Sequence, residues 1–307
     1  MIEVLEAFGV IAFVVAVGAI VGRTGVLGDN ARTVLNRVAF HIGVPALLLL
    51  NLSNATIGQI FSLPVVLSVL ISLTVMALCF AVITVVRHRD RGDATIASWT
   101  ASYVNSANLG IPLSAYVFGS TTEVSAIILF QAVVMAPIGI AILNSAATPR
   151  RSPARQVVTL VCNPIIAASA IGVIFAATGV KITGVAADPL KLLAALAIPT
   201  VLLAFGMSLS SGIGDAPPTD RIDLTIVVVF KIVLMPALAY ALARWGFGAT
   251  PEQVLLVTVL AALPSAQNIN TYAAVYRRNE RLARDATLIS TALSVPIIVA
   301  VVAVLGG

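Results

Sequence analysis

Two polar runs interrupt long apolar segments of the sequence. The first is Asn105–Pro112 (NSANLGIP) and the second is Leu263–Asn270 (LPSAQNIN). Their amide side chains can hydrogen-bond a polar ligand, and their proline residues interrupt a helix. Inside a bilayer, non-helical backbone survives only where protein buries it or where it lines a cavity. We therefore interpret the two runs as parts of a ligand-binding site.

In the first run, Asn105 and Asn108 are followed by Gly110 and Pro112. Proline donates no backbone hydrogen bond, and glycine permits close backbone approach. We expect the helix to break near Asn108 to Ile111 and to restart with Pro112 in its first turn, where proline is well tolerated. A restarting helix directs unpaired N–H groups and the positive end of its dipole at the gap.

The second run repeats this pattern, with Pro264 ahead of Gln267, Asn268 and Asn270. If the two breaks cross near the membrane midplane, two positive helix ends and several amides converge on one small volume. Such a volume suits an anionic group such as a carboxylate. The alternative interpretation is a pair of proline kinks, in which the asparagines hydrogen-bond neighbouring helices.

Three further polar residues lie within apolar segments. Lys231 is roughly 13 Å deep by the helix rise, where a charge is costly and indicates a function. It can neutralise a substrate carboxylate, replace a coupling cation, or face a water-filled vestibule without a specific role. His41 can exchange protons near neutral pH. His41 and Gln131 are candidates for proton or ion coupling, although each also fits an interhelical hydrogen bond.

The composition identifies the elements that must position these residues. The chain has 307 residues, of which 59% are hydrophobic and 10% charged, and its mean hydropathy is +1.05. A soluble domain carries about 25% charged residues, so the sequence predicts an all-α polytopic membrane protein. The net charge of +5 comes from basic residues in short loops, which implies no nucleic-acid partner. Cys79 and Cys162 lie in apolar segments, which favours buried thiols over a disulfide or a metal site.

A spanning helix needs about 20 mostly apolar residues, and ten such segments can be placed. They cover residues 5–22, 34–52, 62–86, 94–119, 123–146, 156–178, 187–210, 222–244, 253–276 and 284–305. The N-terminal sequence Met1–Glu6 has no basic region and no small-residue cleavage site, so we expect the first span to be retained.

Basic residues are divided unequally between the connections. Fourteen flank the odd-numbered connections, whereas Lys181, Lys191 and Arg244 flank the even-numbered ones. By the positive-inside rule, the odd-numbered connections are cytoplasmic and both termini are extracytoplasmic. We therefore predict a multi-pass protein of the cell (inner or plasma) membrane.

The two halves of the sequence resemble each other. Pro45–Leu49 (PALLL) is echoed by Pro199–Leu203 (PTVLL) 154 residues later, and Ser106–Asn108 is echoed by Ser265–Gln267 159 residues later. Nearly equal offsets indicate a duplication. Because five spans is an odd number, the second copy must enter the membrane from the opposite face. We predict inverted five-helix repeats at residues 1–148 and 156–307, joined by a cytoplasmic linker at 149–155.

Enzyme signatures are missing from the sequence. It contains no H-E-x-x-H, G-x-S-x-G or G-x-x-x-x-G-K-[ST] motif. Gly212–Asp215 (GIGD) matches one half of the intramembrane aspartyl protease signature, but its Tyr-Asp partner does not occur. We expect no enzyme, no catalytic residues and no cofactor.

The polar runs also resemble a known family. Asn105–Leu113 (NSANLGIPL) resembles the fourth-span motif of the auxin efflux carrier family. Similarity to other spans of that family is found at Val44–Leu48, Asn163–Ile166, Leu263–Ala266, Tyr272–Tyr276 and Thr287–Ser294. The resemblance covers essentially the whole chain.

This resemblance implies a ten-span carrier with a scaffold domain and a transport domain, in which broken helices 4 and 9 cross at the substrate site. By motif position, Asn105 contacts the substrate and Pro112 is the crossover proline. Plant members export auxin, and prokaryotic relatives are associated with malate and malonate. The chain departs from the plant pattern at Ile269, where plant carriers have a second proline, and it lacks their long central loop. A prokaryotic-type carrier is implied, and a homodimer by analogy.

These observations predict a secondary transporter that moves a small organic anion by an elevator-like displacement. The partners expected are the anion, the bilayer and a coupling ion, H⁺ or Na⁺. The alternatives are a sodium-coupled organic anion symporter of the bile-acid type, an anion channel and a membrane-embedded enzyme.

Overall fold

The computed structural model describes residues 2–28, 30–146, 163–210 and 220–306. Every regular element in these ranges is helical, and the one β interaction found there is an isolated bridge between Val104 and Ser265. The predicted linker at 149–155, Cys162 and the Gly212–Asp215 element lie outside the described residues.

The helices follow the apolar segments predicted from the sequence. In chain order the described α-helices are α1 (Ile2–Thr24), α2 (Ala31–Val38), α3 (Val44–Asn54), α4 (Ile57–Ile60), α5 (Leu63–Ala81), α6 (Arg91–Ser102), α7 (Ile111–Val117), α8 (Thr122–Phe130), α9 (Ala136–Ala146), α10 (Pro164–Thr178), α11 (Ala187–Ala195), α12 (Ala197–Ser210), α13 (Arg221–Val229), α14 (Met235–Ala241), α15 (Pro251–Ala262), α16 (Asn268–Tyr276) and α17 (Glu280–Leu305).

Five-residue π-helical turns extend or join several of these helices. They are Ala39–Gly43, Val82–Val86, Ser106–Gly110, Gln131–Met135, Phe230–Leu234 and Leu242–Gly246. Four of the six begin six residues before a proline, at Pro45, Pro112, Pro137 and Pro236. A proline ring clashes with the carbonyl group four residues earlier, and the wider π turn relieves that clash within the helix.

Six helical stretches in the described ranges are long and apolar enough to cross a membrane. They are Ala31–Asn54, Ile57–Val86, Thr122–Ser145, Gly184–Met207, Arg221–Gly246 and Glu280–Leu305. Gly9–Thr24, Pro164–Thr178 and Pro251–Ala262 are shorter apolar helices. The predicted spans at 94–119 and 253–276 are each divided by a non-helical segment, so neither contains a single long helix.

One compact unit contains Met1–Ser62, Ala107–Leu129 and Val157–Gly214. In this first unit α1 packs against α12, and glycines keep the contact close. A Cβ atom added at Gly18 would meet the Leu203 carbonyl oxygen, and one added at Gly206 would meet the Val15 carbonyl oxygen. Small residues let apolar helices approach in this way without relying on the hydrophobic effect.

The other compact unit contains Leu63–Ser106, Phe130–Gln156 and Asp215–Gly307. Its centre is α6, of which every residue from Ala94 to Ser102 is buried. The wholly buried Trp99 packs its ring against the backbone at Gly139, where an added Cβ atom would collide with the indole. This second unit also contains the non-helical residues of both helix breaks, Tyr103–Asn105 and Leu263–Gln267.

Charged connections meet at one end of the second unit. Arg87 and Arg89 each place Nε against an Asp223 carboxylate oxygen, at 2.6 and 2.7 Å. Arg278 pairs with Asp90 at 2.9 Å. Arg87 also pairs with Asp220 at 3.0 Å, so the third and seventh predicted connections lie together, and Asp90 joins the third to the ninth.

Three of the even-numbered connections, the second, fourth and sixth, meet at one end of the first unit. The Asn51 amide donates to the Thr121 hydroxyl at 2.5 Å. Beside this contact is an open cavity of about 340 Å³, lined by Leu50, Asn51, Asn54, Ala55, Gln59, Thr122, Ile182 and Lys191. The second, fourth and sixth predicted connections all contribute to its lining.

Candidate functional site

The two helix breaks pair with each other in the second unit. After α6 and α15 end, Val104 and Ser265 form an antiparallel bridge. The Asn105 N–H donates to the Pro264 carbonyl oxygen at 2.8 Å, and the Ala266 N–H donates to the Tyr103 carbonyl oxygen at 2.9 Å. Backbone groups at membrane depth must be satisfied by protein, so each break supplies hydrogen-bond partners for the other.

The break in the first run lies earlier than predicted. We expected it near Asn108 to Ile111, but the chain leaves the helix at Tyr103–Asn105 and is helical again from Ser106. Gly110 has ordinary helical angles, with φ −64° and ψ −47°, and Pro112 lies in the first turn of α7 as predicted. Pairing with the second break determines which residues are non-helical, and the π turn accommodates the proline.

The second break is close to its predicted position. Helix α15 ends two residues before Pro264, and α16 begins at Asn268 with Gln267 as its N-cap. Gln267 is half-buried and Asn268 is exposed. The Asn268 side chain hydrogen-bonds with the Tyr103 hydroxyl, so the first turn of α16 contacts the first break.

Two asparagines beside the breaks have enclosed side-chain atoms. Asn105 is 3% exposed. The Asn270 side chain is half-buried, and its Oδ1 atom is enclosed without a hydrogen-bond partner in the described part of the chain. A ligand or a water molecule with a donor can satisfy such an atom.

Side chains from neighbouring helices hold the paired breaks. Gln131, in the π turn between α8 and α9, donates from Nε2 to the Val104 carbonyl oxygen at 3.0 Å. The Ser265 N–H donates to the Ser290 hydroxyl of α17 at 3.1 Å, and the Ser265 hydroxyl donates to the Thr100 carbonyl oxygen of α6 at 2.6 Å. Hence three elements fix the bridge.

Lys231 lies in the π turn Phe230–Leu234, and its side chain is completely buried. Its Nζ atom donates to the Ala261 carbonyl oxygen at 3.0 Å and lies 3.0 Å from the Met235 sulfur. The interpretation of a lysine facing a water-filled vestibule therefore does not match the structure. The ammonium instead contacts the carboxyl-terminal turn of α15, directly before the second break.

The predicted site residues are divided between the two units. Asn105, Gln131, Lys231, Gln267, Asn268 and Asn270 belong to the second unit, whereas His41, Asn108, Gly110 and Pro112 belong to the first. His41 is exposed in the π turn Ala39–Gly43, with its ring edge-on to Phe40 at 5.0 Å between centroids. Asn108 is half-buried in the π turn Ser106–Gly110.

Sequence reasoning missed Tyr103 and Ser290. Tyr103 precedes the first polar run, and its contact with Asn268 depends on long-range folding. Serine in a spanning helix commonly bonds a carbonyl of its own helix, so Ser290 has no distinctive local signal. The positions of four prolines could have predicted π turns, since a π turn begins six residues before each of them.

The arrangement offers hydrogen-bonding groups and the electrostatic field of helix ends. It contains uncharged amides, two helix ends and one buried lysine. Within the described ranges, no group of three or more His, Cys, Asp or Glu residues is placed to hold a metal ion.

The described ranges are all-helical and contain six apolar helices of membrane-spanning length, together with two helices broken at a shared pairing, which defines a multi-pass membrane protein. The chain belongs to the auxin efflux carrier family, whose sequence model, described as "Membrane transport protein", matches residues 4–154 and 141–302. It is accordingly a membrane transporter.

Two curated relatives align over most of the chain. An "Uncharacterized transporter" of Methanothermobacter thermautotrophicus is 29% identical over 261 residues, which cover 82% of each chain. A "Putative malonate transporter" of Rhizobium meliloti is 27% identical over 307 residues, which cover 95% of this chain and 91% of the relative.

Proposed function

We propose that this protein is a secondary transporter of small organic anions, with a mono- or dicarboxylate bound at the paired helix breaks. The observation that carries the proposal is the bridge between Val104 and Ser265, which brings two interrupted helices and their amides together at one place. The name of the Rhizobium relative supports a dicarboxylate of malonate size as the first ligand to test.

The electrostatics of the second unit favour an anion at the breaks. Helix α15 ends there with its carbonyl groups, which form a negative pole, and the Lys231 ammonium neutralises that pole through Ala261. Helix α16 begins just beyond, at Asn268. Its first turn presents the positive pole of a helix, which attracts a carboxylate.

Amide side chains supply the hydrogen bonds for such a ligand. Asn105, Gln267, Asn268 and Asn270 all lie in the second unit within a few residues of the bridge. Amides can donate to a carboxylate without adding a charge of their own, which limits the desolvation cost of the empty site. The assignment of Asn108, Gly110 and Pro112 to the site stays a prediction from the sequence.

We propose ten spans arranged as inverted repeats at 1–148 and 156–307, with both termini extracytoplasmic. The first unit holds the first two predicted spans of each repeat, which supports a scaffold made of these spans. The second unit carries the paired breaks and would move in an elevator-type cycle. Without an ATP-binding motif, the driving force is an ion gradient, the membrane potential or the substrate gradient.

A ligand screen followed by a flux measurement tests the proposed function. Purified protein is screened by thermal shift against mono- and dicarboxylates, with and without sodium and at several pH values, because a ligand that binds only the folded state raises the midpoint. The stabilising ligands are then assayed for counterflow in proteoliposomes. We expect at least one small carboxylate to stabilise the protein and to exchange across the membrane; stabilisation by none, with no counterflow, would remove the proposal.

Sodium-dependent affinity in the same screen would favour the bile-acid type of symporter. Asn54→Ala is a suitable control variant, since Asn54 is an exposed amide of the first unit. It should bind like the unmodified protein.

A further inference from the structure

Each residue of the bridge is held by one buried side chain from a neighbouring helix. Gln131 donates to the Val104 carbonyl oxygen at 3.0 Å, and Ser290 accepts from the Ser265 N–H at 3.1 Å. Gln131 is 3% exposed and Ser290 is 0% exposed, so water does not compete for these bonds. The Val104 carbonyl oxygen also accepts from the Ser106 N–H at 2.8 Å, so Gln131 adds a bond from another helix, while Ser290 supplies the acceptor for the Ser265 N–H.

The two holding residues occupy equivalent places in the two halves of the chain. Gln131 and Ser290 are 159 residues apart, the same offset that relates Ser106 to Ser265. Each lies in the helical stretch that directly follows its broken helix. At the same position of the predicted repeat, the first half of the chain therefore has a hydrogen-bond donor, Gln131, and the second half has an acceptor, Ser290.

The Ser290 hydroxyl is linked to the second break beyond this single bond. It also lies 3.2 Å from the Ser265 hydroxyl, which in turn donates to the Thr100 carbonyl oxygen. Ser290 donates to the Thr287 carbonyl oxygen of its own helix at 3.1 Å, and the equally buried Ser294, one helical turn further along α17, makes the corresponding bond to the Thr291 carbonyl oxygen at 3.0 Å. The additional contact with the break is what distinguishes Ser290 from Ser294.

We infer that Gln131 and Ser290 are a matched pair of positioning residues that set the backbone geometry of the crossover. Together they fix the bridge and with it the spacing of the amides on either side. We also expect this spacing to set the affinity for a carboxylate, and this second part rests on the proposed function. The effect of Gln131 and Ser290 on the backbone does not depend on the proposed function.

Hydrogen exchange tests the backbone part directly. Ser290→Ala removes the acceptor, and Gln131→Met removes the donor while keeping a side chain of similar length. For Ser290→Ala we expect about tenfold faster exchange of the Ser265 amide, read in peptides covering residues 263–267, the size typical of one lost hydrogen bond. Gln131→Met frees a carbonyl oxygen, so we expect faster exchange in peptides covering residues 102–106 through a loosened bond from the Asn105 N–H to the Pro264 carbonyl oxygen. Ser290→Thr keeps the hydroxyl and should restore slow exchange, and Ser294→Ala should leave both segments unchanged.

A merely structural role makes a different prediction. If these variants only loosened the protein, exchange would rise equally in peptides of Ala31–Asn54, in the first unit. Such a uniform rise, or no rise at 263–267 and 102–106, overturns the positioning role.

Ligand affinity tests the second part. For the carboxylate found in the screen, we expect each single variant to raise Kd about tenfold and the double variant to raise it by less than the product, because both residues hold one bridge. Faster exchange with unchanged Kd would overturn the link to the ligand. If no carboxylate binds the unmodified protein, the proposed function fails, while the exchange data still decide the positioning role.

Discussion

The Lys231 ammonium donates a hydrogen bond to the Ala261 carbonyl oxygen, at 3.0 Å, in the last turn of α15. A helix end that faces a break inside the membrane leaves carbonyl groups unsatisfied, and a cation is the group that stabilises them best. The lysine therefore acts at the carbonyl pole of one half-helix. On the proposed anion next to α16, the lysine would therefore act through its electrostatic field and not by contact.

Replacing this lysine should weaken the binding of charged ligands more than the binding of neutral ligands. In Lys231→Met the α15 pole is no longer neutralised, so we expect about tenfold weaker binding of a carboxylate and less than a twofold change for its neutral amide analogue. Isothermal titration of both ligands measures this. Lys191→Met is the control, because Lys191 is an exposed residue in a surface ion pair with Asp188. An equal loss for both ligands would make Lys231 purely structural.

Removing amides beside the bridge should weaken binding without unfolding the protein. Asn105→Ala and Asn268→Ala each delete a group that can donate to a charged ligand, a bond worth about 1.5–3 kcal/mol. We expect Kd for the best carboxylate to rise by tenfold or more, with a normal elution profile in size-exclusion chromatography. Unchanged affinity in both variants would contradict the site assignment.

Protonation of Asp93 should make stability depend on pH. Asp93 lies just before the predicted fourth span, where burial and the neighbouring Asp90 carboxylate raise its pKa to about 6. Arg278 and Arg89 oppose this increase. In the unfolded chain the pKa returns to its ordinary 3.8, so between about pH 4 and pH 6 the folded protein holds a proton that the unfolded chain releases.

The stability supplied by this proton is present in full below about pH 4 and is lost as the pH rises through 6. Asp93→Asn should therefore flatten the fall in thermal midpoint between pH 4.5 and 7, and Arg278→Gln should shift the fall to higher pH. Asp188→Asn, which changes an exposed carboxylate of the first unit, should keep the original profile. The same slope in Asp93→Asn as in the unmodified protein would contradict the assignment.

The sequence predicts the existence of both breaks better than their exact extent. Prolines and asparagines within apolar segments mark the two runs because these residues are costly in a spanning helix. The non-helical residues Tyr103–Asn105 could not be predicted, since their conformation depends on pairing with a segment about 160 residues away. The depth of Lys231 follows from helix rise, whereas its contact with Ala261 follows from tertiary packing of two helices.

Close packing around α6 should make Gly139 intolerant of a side chain. An added Cβ atom would collide with the Trp99 ring, which is fully buried and cannot move aside without disturbing the core next to the bridge. We expect Gly139→Ala to destabilise the protein by about 1–3 kcal/mol. Gly9→Ala is a matched control in a helix, because no atom lies within 4 Å of its added Cβ. Equal thermal midpoints of the two variants would mean that the core yields at Trp99.

The membrane orientation can be measured with single cysteines. Cys79 and Cys162 are first replaced by alanine, since they are the two cysteines of the chain. A cysteine is then placed at Arg91, Arg277 or Lys181, which are exposed and outside the ion pairs of the third and ninth connections. A membrane-impermeant thiol reagent applied to intact cells should label only the Lys181 variant, whereas all three should react in permeabilised cells. Labelling of the Arg91 and Arg277 variants in intact cells would mean that the orientation is opposite to the predicted one. The ion pair between Asp90 and Arg278 places the third and ninth connections at the same end of the second unit. Labelling of only one of these two variants would contradict that arrangement.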